Sequence, residues 1–221
     1  MQDLLEVDSI VKSFALKQVL TDVSLKCSKE DIIGLLGRNG IGKSTLLKII
    51  FGVLNADNKY IRINHKVIEK PFLSKELIKY LPQSGFLPHG LTVRECVGYY
   101  FKKEEKYSFL EDDILKNVLH TKIYQLSGGE GRYLEIKMLL KSKEKFILLD
   151  EPFNGVAPVV IESIKKMIQN ESFNKGIILT DHDYSNVISV ANKLYLMFDG
   201  GLKEIKDEQE LKAWGYLPKL K

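Results

Sequence analysis

The first seventy residues alternate between apolar and polar positions in a pattern that favours strands. The segments "LLEVDSIV" and "DVSLKCS" have a period of two, and "DIIGLLG" follows a short charged turn. A period of two places successive side chains on opposite faces of a sheet. A further stretch predicts a hairpin that turns at Asn64 and His65. This part of the chain is therefore predicted to be mostly β-structure.

The pattern changes to a helical one between Leu91 and Lys141. Its start, "TVRE", has a threonine and a glutamate three residues apart, Thr92 and Glu95, which is the spacing of a capping box. The run "FKKEEKYS" at 101–108 is strongly charged and is predicted to be an exposed loop.

Three short apolar runs follow, "KFILLD", "GIILT" and "KLYLMFD", and predicted helices around 158–170 and 183–191 separate them. Strands that alternate with helices are typical of a parallel sheet covered on both faces. The fold class predicted from the pattern is therefore α/β.

Length and composition indicate an ordinary globular protein. The chain has 221 residues, of which 44% are hydrophobic, so it can bury a substantial core in one domain. Its net charge is +4, but 33 basic and 29 acidic residues are scattered, without the basic stripe of a nucleic-acid-binding surface. We therefore expect no nucleic-acid partner.

The sequence also argues against a metal-cysteine site and a membrane span. Cys27 and Cys96 lie far apart without zinc-ligand spacing, as expected of small apolar residues in a reducing compartment. No apolar run approaches about 18 residues, and acidic residues at the start are unlike a signal peptide. We expect a cytoplasmic protein that reaches a membrane only through another chain.

The segment "LLGRNGIGKSTLLKII" contains the first candidate binding site along the chain. Gly37, Gly42, Lys43 and Ser44 fit the pattern GxxxxGK[ST] between a predicted strand and a predicted helix. Backbone amides in such a turn converge on phosphate oxygens, while the lysine reaches the terminal phosphates and the serine holds Mg²⁺. A ligand-free glycine turn is the alternative. The predicted nucleotide-binding residues here are Gly37, Arg38, Asn39, Gly40, Ile41, Gly42, Lys43, Ser44 and Thr45.

The second candidate for chemistry is an acidic pair at the end of the strand "KFILLD". Asp150 and Glu151 follow one another there, at the edge of the sheet where open α/β folds bind ligands. Asp150 suits Mg²⁺ binding, and Glu151 suits a base that orients or deprotonates water. Capping of the following helix is the alternative, but a phosphate loop in the same chain favours the catalytic interpretation.

Five motifs in order resemble the nucleotide-binding subunits of ATP-binding cassette (ABC) proteins: the phosphate loop, "YLPQSG", "LSGGE", "ILLDEP" and "LTDHD". The resemblance covers nearly the whole chain. It implies a P-loop NTPase fold with a RecA-like core and an antiparallel β subdomain (1–84 and 143–221) and an inserted helical subdomain (85–142). It also implies hydrolysis of ATP with Mg²⁺.

The resemblance assigns further roles to single residues. Phe14 resembles the aromatic residue that stacks on adenine, although a buried strand residue is the alternative. Gln83 resembles the residue that reaches Mg²⁺ and the attacking water, and His182 resembles the histidine that contacts the γ-phosphate. Each of these residues alone would carry no functional meaning.

The segment "LSGGE" has the features of a second anion site. Ser127 has a hydroxyl, Gly128 and Gly129 expose backbone amides, and a helix begins near Glu130. In the family this segment closes over the ATP of a second subunit, which implies an ATP-dependent homodimer. A simple capping box between Ser127 and Glu130 is the alternative, and both are compatible.

Among ABC proteins, "DEPFNGV" and "LTDHD" most resemble the lipopolysaccharide-export ATPase and its branched-chain amino-acid relatives. We therefore expect an ATPase that has no membrane span of its own. It would bind a separate transmembrane permease on the cytoplasmic face of the membrane. Two alternatives stay open: a soluble ATPase of an assembly machine of the iron-sulfur type, and a regulatory cassette that does not hydrolyse ATP.

The sequence departs from the family at three places. Ala157 stands in "GVAP" where the family has aspartate, and Gly131 lies in the first turn of a predicted helix. The stretch from Gln83 to Leu126 is also short, which predicts a reduced helical subdomain. Near the end of the chain, Trp214 and Tyr216 are predicted to be packing residues.

Overall fold

A computed structural model describes residues 3–216 and contains two β-sheets. The strands are β1 (Leu4–Phe14), β2 (Lys17–Ser28), β3 (Ile32–Leu36), β4 (Asn58–Ile63), β5 (Lys66–Val67), β6 (Ile78–Leu81), β7 (Phe146–Asp150), β8 (Gly176–Thr180), β9 (Lys193–Phe198) and β10 (Gly201–Ile205). The helices are α1 (Lys43–Phe51), α2 (Val93–Tyr100), α3 (Lys103–Leu110), α4 (Gly128–Leu140), α5 (Pro158–Ser172), α6 (Tyr184–Val190) and α7 (Glu208–Ala213). Short 3₁₀ turns cover Pro71–Leu73 and Ile123–Gln125.

The smaller sheet is antiparallel, in the order β2-β1-β4-β5. Its β4–β5 hairpin pairs Ile63 with Lys66 and turns at Asn64 and His65, whose φ angles of 52° and 65° are left-handed. Asparagine tolerates this conformation better than most residues because its short polar side chain bonds locally. Here Asn64 Oδ1 accepts a hydrogen bond from the Leu4 amide at 2.8 Å. The hairpin prediction is confirmed.

The larger sheet has the order β10-β9-β3-β8-β7-β6. Its strands are parallel except for β10, which pairs antiparallel with β9 at the edge. All residues of β3, β7 and β8 are buried, as their continuous apolar sequences require when both faces of a sheet are covered. The carboxyl ends of these three strands therefore meet at one edge of the core.

The helix predictions around 158–170 and 183–191 are confirmed by α5 and α6. The capping box at the start of α2 is confirmed as well. Glu95 N–H donates to Thr92 Oγ1 at 3.2 Å, and Thr92 N–H donates to Glu95 Oε2 at 2.8 Å. Within residues 3–216 no helix has the length and apolar character needed to cross a bilayer.

The prediction of an exposed loop at 101–108 is wrong, because α3 occupies Lys103–Leu110. The charged residues lie on the outer side of this helix, while Phe109 is fully buried and its ring centroid lies 4.8 Å from that of Phe101. The Lys102 amide donates to Glu105 Oε2 at 2.8 Å and so caps the first turn. The burial of Phe109 thus stabilises a helix that the charge pattern alone does not predict.

Both cysteines are buried and free, in line with their predicted role as apolar residues. Burial raises the pKa of both thiols, and that of Cys96 reaches about 11. Neither thiol is therefore a reactive thiolate at neutral pH.

A buried ion pair fixes the end of α3 to α4. Asp112 Oδ2 accepts hydrogen bonds from Lys137 Nζ and, at 2.7 Å, from Tyr133 Oη. The side chains of Asp112 and Lys137 are 9% and 7% exposed. Burial by itself would raise the pKa of Asp112, but these hydrogen bonds and the lysine charge outweigh it, and the pKa is lowered.

We expect Asp112→Asn to lower the free energy of unfolding by roughly 3 kcal/mol at pH 7, since it removes the charge that compensates Lys137. A carboxylate with a lowered pKa in the folded state stabilises the protein above its unfolded pKa of about 4 and loses this effect as pH falls through the folded value. Urea unfolding between pH 7 and 3 should therefore show the gap between wild type and variant closing in acid. Asp113→Asn is the control, because the Asp113 side chain is 90% exposed. A gap that stays constant with pH would contradict the prediction.

Candidate nucleotide-binding and hydrolysis site

The glycine-rich loop leaves β3 and enters α1, as predicted. Gly42 has φ 123°, and a Cβ there would lie 2.9 Å from Val19 Cγ1, so only glycine fits without strain. Lys43 Nζ donates to the carbonyl oxygens of Gly37 at 2.6 Å and Arg38 at 3.2 Å. The lysine thus lies across the loop with its charge next to the cavity that the loop encloses.

This cavity has a volume of about 380 Å³. Its lining residues are Asn39, Gly40, Gly42, Lys43, Ser44, Thr45, Gln83, Glu151 and His182. Gly37, Arg38 and Ile41 belong to the loop but do not line the cavity, and Ile41 packs against the core instead. Burial lowers the pKa of Lys43, and the charges of Glu151 and Asp150 oppose this shift. The cavity therefore combines one cation with polar side chains from several strand ends.

Asp150 is fully buried at the end of β7. Ser44 Oγ donates to its Oδ1 at 2.9 Å, and Tyr80 Oη donates to its Oδ2 at 2.8 Å. Burial raises the pKa of Asp150, and these two hydrogen bonds oppose the shift. Sequence analysis missed Tyr80, which ends up beside Asp150 because β6 pairs in parallel with β7.

Glu151 lines the cavity and has a left-handed φ of 53°. Its Oε1 accepts a hydrogen bond from Gln83 Nε2 at 2.6 Å and lies 2.7 Å from His182 Nε2. The other ring nitrogen of His182 lies 2.8 Å from Asn39 Oδ1. The structure therefore brings together three predicted residues from separate loops.

The donor atoms around Asp150 fit a hard divalent cation. The Ser44 hydroxyl and the Asp150 carboxylate are oxygen ligands of the kind that Mg²⁺ prefers, and Gln83 Nε2 lies 3.4 Å from Ser44 Oγ. Among residues 3–216 no group of three or more His, Cys, Asp or Glu side chains forms a protein-only metal site. This is compatible with an ion that enters with phosphate oxygens as further ligands.

Arg132 is a second residue that sequence analysis missed. It is 8% exposed, and its Nη2 donates to the carbonyl oxygens of Asp150 at 2.6 Å and Glu151 at 2.9 Å. Its Nη1 donates to Pro82 O at 2.7 Å and to Glu135 Oε2 at 3.3 Å. One guanidinium therefore fixes α4 to both acidic residues and to the segment that carries Gln83. The sequence does contain one signal for this role, since Arg132 and Glu135 are charged residues three positions apart in a mostly apolar helical segment.

The "LSGGE" segment begins α4 with the predicted capping box, which is confirmed. Ser127 Oγ accepts from Glu130 N–H at 3.3 Å, and Glu130 Oε2 accepts from Ser127 N–H at 2.9 Å. Ser127, Gly128 and Gly129 do not line the cavity at the phosphate loop. Ser127 and Gly128 instead line a second cavity of about 380 Å³, which shares Gln83 and Glu151 with the first. A Cβ on Gly128 would meet no atom within 4 Å.

Three further features from the sequence analysis, Phe14, Ala157 and Gly131, lie outside the lining of the phosphate-loop cavity. Phe14 ends β1 and is 47% exposed, with Lys12 Nζ 5.0 Å from its ring centroid, but it does not line the phosphate-loop cavity. Ala157 is the N-cap of α5 and has no side chain that caps the helix. Gly131 is helical in the first turn of α4.

Comparison with known proteins decides the family. The family model described as "ABC transporter" matches residues 20–154, more than half of the chain. The chain belongs to the ABC transporter family. Its mixed α/β architecture, with the glycine-rich loop between β3 and α1, is accordingly the P-loop NTPase fold of an ABC cassette, as predicted.

Other ABC proteins are similar over most of their length. The lipopolysaccharide export system ATP-binding protein LptB of Haemophilus influenzae is 32% identical, covering 89% of this chain and 88% of that protein. A probable ABC transporter ATP-binding protein of Azorhizobium caulinodans is 30% identical over 92% of this chain and 77% of its own. A solved nucleotide-free ATP-binding cassette from an ABC transporter superposes with a TM-score of 0.81 at 27% identity, covering 99% and 97% of the two chains.

Membership in the family has direct consequences for this cassette. ABC cassettes bind and hydrolyse ATP, so the chain is an ATP-binding, ATP-hydrolysing transporter subunit. Such subunits dimerise and work with a transmembrane partner. Transport is favoured over the assembly-machine and regulatory alternatives, because the relatives described above are named as transporter components.

Proposed function

We propose that this ABC cassette hydrolyses ATP with Glu151 as the base and drives the export of a lipid or lipopolysaccharide. The observation that carries the catalytic proposal is the contact of Glu151 Oε1 with both Gln83 and His182 in the lining of the phosphate-loop cavity. This arrangement holds a carboxylate where a water molecule would approach a terminal phosphate.

In this proposal each residue around the cavity has one role. Lys43 neutralises the terminal phosphates, and the backbone amides from Gly37 to Thr45 hold the phosphate chain. Glu151 orients and deprotonates water, while His182 contacts the γ-phosphate. Gln83 orients the same water. The short distances from Gln83 and His182 to Glu151 support this assignment.

We assign Mg²⁺ to Ser44, Asp150 and Gln83. The oxygen donors of Ser44 and Asp150 support this choice. When bound with ATP, Mg²⁺ would neutralise charge on the phosphate oxygens. Tyr80 holds the Asp150 carboxylate from the opposite side.

The proposal further includes a homodimer with two ATP molecules at its interface. Ser127, Gly128 and Gly129 would contact the γ-phosphate of the second subunit, and Phe14 would stack on the adenine of its own. The open space above Gly128 and the exposed Phe14 ring support these two assignments. Hydrolysis would remove the phosphate that both subunits contact, and the pair would open.

A separate permease is proposed as the membrane partner, and the cassette would lie on the cytoplasmic face of the membrane. A groove of about 630 Å³ beside the Gln83 segment supports docking of such a partner. Its largely apolar lining includes Tyr80, Pro82, Phe86 and Met138. It lies between the proposed catalytic core and the proposed helical subdomain (85–142). The lipid-type cargo rests on the similarity to LptB of Haemophilus influenzae, which is named a lipopolysaccharide export system ATP-binding protein.

Affinity capture from detergent-solubilised membranes of the host tests the transport proposal. We expect a polytopic protein to copurify in stoichiometric amount, and its type would narrow the cargo. Phe86→Glu, which places a charge in the groove, should abolish this capture while ATP binding persists. Recovery with a soluble scaffold alone would contradict the proposal and favour an assembly ATPase.

Ala157→Asp tests what the aspartate that the family has at this position would contribute. Because Ala157 is an uncapped N-cap, both Ala157→Asp and Ala157→Ser should raise the free energy of unfolding by about 1 kcal/mol. If an aspartate here also makes a polar contact across the dimer, only Ala157→Asp should raise ATP turnover. Urea unfolding and phosphate-release assays on both variants check this. Equal turnover of the two variants would contradict a dimer contact.

A further inference from the structure

Tyr80 lies on β6, between the groove proposed above as the docking site and the end of β7. In the parallel pair of β6 and β7 it stands opposite Leu148. Asp150 follows two residues later, and because side chains alternate along a strand, Leu148 and Asp150 point to the same face of the sheet. The Tyr80 hydroxyl donates to Asp150 Oδ2 at 2.8 Å. The register of the two strands therefore places a phenol beside a residue that we assign to Mg²⁺.

Tyr80 also lines the groove of about 630 Å³. Its ring packs against that of Phe51, the last residue of α1, with centroids 5.5 Å apart, and Phe51 lines the same groove. Gln83 and Asp150 do not line the groove, and Tyr80 does not line the phosphate-loop cavity. Tyr80 thus belongs to the surface of the groove, while its hydroxyl belongs to the surroundings of Asp150.

The two carboxylate oxygens of Asp150 have different partners. Ser44 Oγ donates to Oδ1 at 2.9 Å, and Tyr80 Oη donates to Oδ2. The carboxylate is fully buried, so these hydrogen bonds replace those that water would supply. Because the phenol holds Oδ2, Oδ1 stays on the side of Ser44, where we assign Mg²⁺. Hydrogen bonds of this kind orient a metal ligand and so affect its affinity for the ion.

We propose that Tyr80 is a positioning residue that transmits the packing in the groove to the Mg²⁺ site. A segment of the permease in the groove would contact the Tyr80 ring, and a shift of the ring moves the hydroxyl that orients Asp150. The proposal rests on the docking groove and the Mg²⁺ ligands proposed above. Because coupling between two binding sites is reciprocal, Mg²⁺ with nucleotide would change the affinity for the permease segment by the same factor.

Tyr80→Phe in the full chain tests the role of the hydroxyl. The dissociation constant of trinitrophenyl-ADP is measured with EDTA and with saturating Mg²⁺, and the ratio of the first to the second reports how well the site holds the ion without turnover. We expect this ratio to fall about tenfold, the usual effect of removing a hydrogen bond to a metal ligand, with the constant in EDTA unchanged. Tyr195→Phe is the matched control with a wild-type ratio expected, since the Tyr195 hydroxyl lies 3.4 Å from the carboxylate of Glu204 on β10.

Phe51→Leu tests the role of packing in the groove, because it keeps the Tyr80 hydroxyl and removes the ring that packs on Tyr80. It should lower the same ratio about threefold, as expected of a residue that acts through a neighbour. Phe51 also ends the helix that carries Ser44 in its first turn. An effect through that helix would persist in the double variant with Tyr80→Phe, whereas an effect through the Tyr80 ring would disappear there. We expect the double variant to have the ratio of Tyr80→Phe alone.

Circular dichroism would fix a temperature at which every variant is folded. A wild-type ratio in Tyr80→Phe would overturn the proposal, and so would an effect of Phe51→Leu that persists in full in the double variant. Asp150→Asn distinguishes these results from a failure of the metal assignment, since it should lower the ratio at least as much as Tyr80→Phe. If Asp150→Asn leaves the ratio unchanged, the Mg²⁺ assignment and the role of Tyr80 are both wrong. If Asp150→Asn lowers the ratio and Tyr80→Phe does not, only the role of Tyr80 is wrong.

Discussion

Glu151→Gln should lower the rate of ATP hydrolysis about a thousandfold, because glutamine cannot take a proton from water. It keeps the size of the side chain and an oxygen that accepts from Gln83, whose Nε2 lies 2.6 Å from Glu151 Oε1. Binding of Mg-ATP should therefore stay within about threefold of wild type. Phosphate release under saturating ATP measures the first effect, and equilibrium binding measures the second.

The same variant should accumulate as a dimer when Mg-ATP is present, since the nucleotide that joins the subunits is no longer consumed. Sedimentation of Glu151→Gln with ATP, with ADP and without nucleotide tests this. Glu111→Gln is the matched control, because Glu111 is exposed at the end of α3 and distant from the cavity. Wild-type hydrolysis in Glu151→Gln would show that another group is the base. A chain that stays monomeric with saturating ATP would contradict the sandwich dimer of this chain alone.

Arg132→Leu should lower the free energy of unfolding by about 4 kcal/mol, the usual effect of breaking a buried ion pair. The substitution leaves Glu135 charged and buried, although its Oε1 still accepts from the Phe86 amide at 2.7 Å. It also releases the carbonyl groups of Asp150 and Glu151, which Arg132 holds. Hydrolysis should therefore fall even at temperatures where the variant is folded.

Urea unfolding checks this result, and a lower midpoint at an unchanged slope is expected. Arg132→Lys should be intermediate, because lysine keeps the charge but lacks the planar fork that reaches several oxygen atoms. Arg94→Leu is the control: Arg94 is an exposed arginine on α2, and its loss should change stability by less than about 0.5 kcal/mol. A destabilisation below 1 kcal/mol in Arg132→Leu would contradict a structural role for the guanidinium.

Part of this fold follows from local sequence alone. The continuous apolar runs "KFILLD" and "GIILT" form buried parallel strands, and the turn at Asn64 and His65 lies where predicted. The capping boxes at Thr92 and Ser127 formed because each needs only four consecutive residues. Patterns of this kind act within one turn or strand, so no distant contact is required to predict them.

The helix α3 shows where local pattern failed. Half of its residues are charged, and Phe109 stabilises the helical form by packing against Phe101 and against Lys137 of α4. Both partners, Phe101 and Lys137, lie outside the helix, so the charged sequence of the helix alone predicts a loop. Tertiary packing outweighs propensity here.

The sequence by itself determined the family and predicted which residues form the candidate site, because motifs such as the phosphate loop place these groups within a few residues of one another. Only the tertiary structure decided what surrounds them. Arg132 reaches Asp150 and Glu151, and Tyr80 reaches Asp150. Each contact joins residues from separate elements, and the order of the strands in the sheet, rather than spacing along the chain, brings them together.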